Sequence, residues 1–130
     1  MKTLFAALAL LAVPGFAAAQ DRAIPVHLDL YKGDRLTRTF ADALTATISG
    51  DSRFTVADPL PPDGLNVVMN DSLKPQETED QQIAGYEVTV KYGSGKFLRT
   101  LTGYCDQRRL EMCGRLVAED IYTSYAAGKK

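Results

Sequence analysis

Residues 24–58 read IPVHLDLYKGDRLTRTFADALTATISGDSRFTVAD, and two changes of period within them set the expected architecture. Ile24, Val26, Leu28 and Leu30 alternate with Pro25, His27, Asp29 and Tyr31. Successive side chains of a strand point to opposite faces, so this is a strand with one buried face. Pro25 cannot donate to a ladder, which places it at an edge or at the strand's start. Gly33-Asp34 breaks the alternation, and Asp34 is placed to cap a helix by accepting from a first-turn amide. Leu36, Phe40, Ala43, Leu44 and Ile48 then recur at steps of three and four, one stripe of a helix, with Arg35, Arg38, Asp42 and Thr45 off it. Ser49-Gly50 closes that helix, since glycine takes the left-handed conformation there without a Cβ penalty. Arg53 to Asp58 returns to period two, with Phe54 and Val56 on one face, and Pro59, Pro61 and Pro62 stop it.

Towards the C-terminus, Leu65 to Asn70 predicts a third strand, in which Val68 suggests some burial on the second face too. Asp71 to Gln81 is polar and predicts a mobile loop. Tyr86, Val88, Val90 and Tyr92 alternate with Glu87, Thr89 and Lys91, and Gly93-Ser94-Gly95 turns that strand into Lys96 to Tyr104 as an antiparallel hairpin. Asp106 is placed to cap a last helix with Leu110, Cys113, Val117, Ile121 and Tyr125 on its apolar stripe, and Arg108, Arg109, Glu111, Arg115 and Glu119 outside it. The expected order is β-α-β-β-β-β-α. Two helices on one face of a mostly antiparallel sheet make an α+β two-layer sandwich.

The chain has 130 residues, and the first 19 form a distinct region: Lys2, an apolar run from Leu4 to Val13, a Pro14-Gly15 break, and small Ala17 and Ala19 before Gln20. That is the layout of a secretory signal peptide, and ten apolar residues at about 1.5 Å each do not span about 30 Å of hydrocarbon. Residues 20–130 are then expected to form a single exported domain, soluble in the periplasm. No cysteine stands near the cut for acylation. In an oxidising compartment Cys105 and Cys113 are expected to form a disulfide, because C-x7-C fits neither a redox C-x-x-C pair nor zinc knuckles.

A formal charge of −1 offers no basic face for nucleic acid. Charge is nonetheless uneven. Residues 57–90 carry seven acids against Lys74 alone, and residues 91–130 carry eight bases against four acids. Such polarity suits docking of a protein partner, and it equally suits an acidic loop lying beside a basic helix within one domain. Candidate partner-binding residues are Arg108, Arg109, Arg115 and Tyr122 on or beside the last helix, and Glu77, Glu79 and Asp80 in the acidic stretch, with Tyr and Arg being types enriched at interface hot spots. His27 is the one imidazole, and it shares a strand face with Asp29, so an acid-base pair stands beside the plainer reading of a half-exposed strand histidine. No cofactor and no metal site are expected: one histidine and two paired cysteines cannot build a zinc centre, and Asp71 to Asp80 lacks the EF-hand ligand order and its glycine. Gly50-Asp51-Ser52 superficially resembles an esterase nucleophile block, but Arg53 follows and no second histidine exists to complete a triad.

The run from Phe40 through Leu44, Ile48, Ser49-Gly50, Arg53-Phe54 and Val56 to Asp58 resembles a unit of bacterial envelope accessory proteins: the N-terminal domain of the TolB family, and the curli-secretion and penicillin-binding-protein-activator lipoproteins. The resemblance covers residues 24–58. It implies a strand, an amphipathic helix and an Arg-Phe-x-Val strand, in a periplasmic domain that works by binding other envelope proteins. The chain departs from the lipoproteins by lacking an anchoring cysteine and from TolB by lacking a propeller. The leading expectation is a non-enzymatic envelope accessory domain. The alternatives are a small enzyme or small-ligand carrier using His27 and Asp29, and an inhibitor of a secreted hydrolase.

Overall fold

The computed structural model describes residues 22–128, so the expected signal segment, residues 1–19, lies outside the described residues. The elements are β1 (Ile24–Leu30), α1 (Arg35–Ser49), β2 (Phe54–Val56), β3 (Leu65–Met69), β4 (Lys74–Glu77), β5 (Gln82–Tyr92), β6 (Phe97–Asp106) and α2 (Leu110–Gly128). They form the expected α+β fold, an open six-stranded sheet with two helices. β1 pairs in parallel with β2 and with β3, while β5 pairs antiparallel with β3, β4 and β6, so three of the five pairings are antiparallel. The first strand-helix-strand unit thus joins parallel neighbours, Ile24 opposite Phe54, a connection for which the right-handed crossover is the rule.

Alternation along the strands divides the two faces. Val26, Val67, Val88 and Val90 are fully buried with Phe40, Leu44 and Ile48 of α1 and Val117 and Ile121 of α2. Their neighbours His27, Asn66, Glu87 and Thr102 lie on the other face and keep contact with solvent, although Val68 there is buried, in keeping with its apolar character. Both helices therefore serve one core, and they also pack on each other: a Cβ at Gly114 of α2 would stand 3.0 Å from the Leu44 backbone nitrogen of α1.

Asp34 caps α1 as expected. Its carboxylate accepts from the Thr37 amide and from the Thr37 hydroxyl, both at 2.9 Å. The buried stripe is Thr37, Phe40, Ala41, Leu44 and Ile48; Leu36 and Ala43 are only half-buried. Gly50 does end the helix, but at φ −91° and not in the left-handed region, its amide donating back to Ala46. The left-handed glycine among the described residues is Gly95, at φ +97° in the β5–β6 turn, where a side chain would strain the backbone.

Two expectations are corrected. Asp71 to Gln81 is not one loop: Lys74–Glu77 forms β4, so the order is β-α-β-β-β-β-β-α with six strands. β5 begins at Gln82, four residues before the alternation starting at Tyr86, and that extension supplies the partner for β4. β3 and β4 follow one another along the same side of β5, separated at Asn70–Leu73, where Leu73 turns into the core and its amide donates to the Thr37 hydroxyl at 2.9 Å. The last helix starts at Leu110, not directly after Asp106, so Cys113 lies in its first turn.

Candidate functional site

The start of α2 is fixed from several directions. β6 ends at Asp106, whose carboxylate accepts from the Arg108 amide at 2.9 Å and from the Arg108 guanidinium at 3.2 Å. Those bonds, the guanidinium first, hold the Asp106 carboxyl below its usual range. Gln107 ties the link to β5, its amide donating to the Gln82 carbonyl at 2.9 Å and its side chain to the Ile83 carbonyl at 2.8 Å. The expected disulfide closes the arrangement: Cys105 and Cys113 are bonded, with Cα atoms 5.6 Å apart. Three kinds of constraint thus converge on one short link, and the first turn of α2 has little freedom to adjust.

On that rigid base the helix exposes apolar side chains. Met112 is 49% and Leu116 60% exposed, one turn apart on the outward side. Arg108, Arg109 and Arg115 are also exposed, and all three line one shallow concavity of about 400 Å³ with Thr39 of α1 and Met112. Arg115 continues into a second groove of about 400 Å³ between the helices, which includes Asp42, Ala43 and Glu111. Among the described residues Arg109 and Arg115 form no ion pair, whereas Arg108 is paired with Asp106. The structure therefore brings together the three arginines that the sequence singled out. It adds Met112 and Leu116, which a search for a single apolar stripe passes over because they lie opposite the stripe that faces the core.

Tyr122 does not join this surface. It lies two turns beyond Arg115 and packs edge-on against Phe54 at 6.2 Å, with the Arg53 guanidinium 4.3 Å above its ring. Arg53 also bridges Asp51 and Glu119, each at 2.8 Å, so this cluster ties β2 to the middle of α2. Glu77 is the last residue of β4, and Glu79 and Asp80 sit in the turn that follows, which is closed by the Thr78 amide to the Gln81 carbonyl at 2.9 Å. Since Gln82 and Ile83 meet Gln107 and Asp106, the acidic turn stands at the same end of the sheet as the basic start of α2, with no ion pair between them among the described residues.

The face of the sheet without helices carries the other candidates. His27 Nδ1 is 3.2 Å from Asn66 Oδ1, while Asp29 is exposed on the same face; the histidine's hydrogen-bond partner is the amide of the adjacent strand and not the carboxylate. A concavity of about 480 Å³ lies further along this face, lined by Asn70, Lys74, Glu87, Thr89 and Tyr104 among others, and neither His27 nor Asp29 borders it. Tyr104, 65% exposed, lies directly opposite Gly85 and covers the space that glycine leaves, its ring 3.4 Å from where a Cβ would stand. Among the described residues no three His, Cys, Asp or Glu side chains are grouped as a metal site would require, and no helix is long and apolar enough to cross a membrane.

No protein-family model and no curated protein matches this sequence. Among solved structures, the chain is similar to a minor lipoprotein from Acinetobacter baumannii, at 12% identity and a TM-score of 0.49, over 75% of this chain and 91% of that one.

Proposed function

We propose that this chain is an exported, non-enzymatic domain of the bacterial envelope that docks a protein partner on the first turns of α2. The observation that carries the reading is the pair of exposed apolar side chains one turn apart, Met112 and Leu116, the first of which lines one concavity with Arg108, Arg109 and Arg115. Methionine and arginine are enriched in the centres of interfaces, and a backbone held by a cross-link and a hydrogen-bonded link has little further freedom to lose on binding. Arg109 and Arg115, which form no ion pair among the described residues, favour a partner segment that presents acidic groups beside apolar ones. The acidic turn at Glu79 and Asp80 would repel the same segment if it approached from the wrong side, which fixes orientation.

The test is site-specific photo-crosslinking in exporting cells, with the reactive side chain at Met112 and a control at exposed Thr55 of β2. The expected result is a discrete adduct from position 112 only, abolished by Arg109→Glu with Arg115→Glu. Equal labelling from both positions, or labelling that survives the charge reversals, would overturn the reading. A hydrolase inhibitor would use the same surface, and the identity of the adduct separates it from an assembly factor. A small-ligand carrier is favoured only by the concavity beside Tyr104; ligand-dependent thermal stabilisation lost in Tyr104→Ala would point there.

A further inference from the structure

Among the described residues the sheet has three free edges, and they are not alike. β2 is three residues long. β4 is four residues long and carries Lys74 and Pro75. Shortness, charge and proline are the usual means by which a protein stops an edge from pairing with another chain. β6 uses none of them over most of its length. From Arg99 to Asp106 it runs in unbroken register with β5, the single irregularity falling before Arg99, and it contains no proline. Among the described residues no backbone hydrogen bond is made on its outer side from Arg99 to Cys105; only the carbonyl of its last residue, Asp106, accepts from the Arg109 amide.

We infer that β6 is a homodimer interface, pairing antiparallel with β6 of a second copy about a twofold axis through Leu101, and that Arg99 of each copy lies against Asp120 of the other. A groove of about 260 Å³ runs between the β6 edge and α2, lined by Arg99, Leu101, Asp120, Thr123 and Ser124. It holds one cation and one anion, both exposed and neither ion-paired among the described residues. A surface with one charge of each sign is self-complementary under a twofold, which is what an isologous contact requires.

The register agrees. With Leu101 on the axis, Arg99 stands opposite Gly103, which adds no side chain between the strands, and Thr100 stands opposite Thr102, a favourable cross-strand pair. Gly103 pairs with Tyr86 inside each copy, and the Asp120 carboxylate is near enough to Tyr86 to help burial raise that phenol. Asp120 is therefore at the level where the second copy's Arg99 arrives, on the helix side of the sheet that Arg99 shares with Val90.

Sedimentation velocity from micromolar to near-millimolar concentration tests this, independently of the α2 surface. The expected result is a concentration-dependent dimer whose Kd rises about tenfold or more in Arg99→Glu and in Asp120→Arg and recovers in the double variant, since close charge pairs across interfaces couple this strongly. Both residues are exposed, so the variants keep the fold. A monomer at every concentration, a dimer indifferent to the single reversals, or a double variant no better than the singles would each overturn the inference.

Discussion

Replacing Gly114 by alanine sets two effects of known size against each other. Alanine in a helix interior is favoured over glycine by about 1 kcal/mol. Against that, the added methyl would stand 3.0 Å from the Leu44 nitrogen and 3.1 Å from both the Ala43 carbonyl carbon and the Ala43 Cβ. Ordinary contact begins near 3.4 Å, so three neighbours must give by several tenths of an ångström. Two of the three are backbone atoms of α1, which cannot rotate aside as a long side chain would; the whole helix must move, and with it Phe40, Leu44 and Ile48 in the core. Overpacking of this kind costs about 1–3 kcal/mol, so the net effect of Gly114→Ala is a loss of about 1 kcal/mol. With an unfolding entropy of about 2.1 cal/mol/K for each of the 107 described residues, that is a fall of about 4 °C in Tm, read by circular dichroism. Repeating the substitution in an Ala43→Gly background removes one of the three contacts and should lower the cost by about 0.5 kcal/mol, as expected for touching residues. A raised Tm, or the same cost in both backgrounds, refutes the idea that helix proximity limits this position.

Three further outcomes follow from particular bonds. Thr37→Val keeps the shape of a fully buried residue but leaves the Leu73 amide without its acceptor, so stability should fall by about 1–3 kcal/mol by urea titration; a neutral result would mean that Leu73 finds another acceptor. Cys105 and Cys113 are separated by 8 residues, and closing a loop of that size stabilises by about 2.5 kcal/mol in the chain-entropy picture, so reduction should lower Tm by about 10 °C. Two titratable thiols in the natively purified protein would remove that prediction at its root. Asp51 accepts two kinds of bond from Arg53, the side chain first and the backbone second, and its pKa is lowered from the ordinary 3.8. The folded form therefore binds that proton less readily, the stabilisation is complete above about pH 4, and it is lost as pH falls through the depressed folded value. Asp51→Asn should flatten the acid limb of a stability-against-pH curve, and an unchanged limb would show that other carboxylates dominate it.

Elements whose burial is set by their own pattern are legible in the amino-acid sequence. β1, β3 and β5 follow from alternation because each packs one face on the helices, and α1 follows from its stripe together with Asp34. β4 is hidden because Lys74-Pro75-Gln76-Glu77 has no apolar face; it is a strand only through the ladder that Gln82 to Gly85 provide, a tertiary cause with no local trace. The parallel placement of β1 between β2 and β3 is likewise set by the crossover and not by composition. At the candidate site, the arginines and the disulfide are legible as residue types at suggestive spacings. Tyr122 shares their helix without sharing their surface, because periodicity counts turns but does not say that Arg53 and Phe54 will cover one of them.

Arg22, at the start of the described chain, and Ala126, near its end, line the same concavity beside Arg53 and Tyr122. The two ends of the described residues therefore share one corner. Ala126 is 16 residues along α2 from Leu110, a rise of about 24 Å at 1.5 Å per residue. Met112 is 14 residues from Ala126, a rise of about 21 Å, so an attachment made beside Arg22 or Ala126 leaves the start of α2 clear. The same proximity allows the two ends to be joined by a short linker and the chain reopened at Ser94 in the β5–β6 turn, giving a permuted molecule in which β6 and α2 come first.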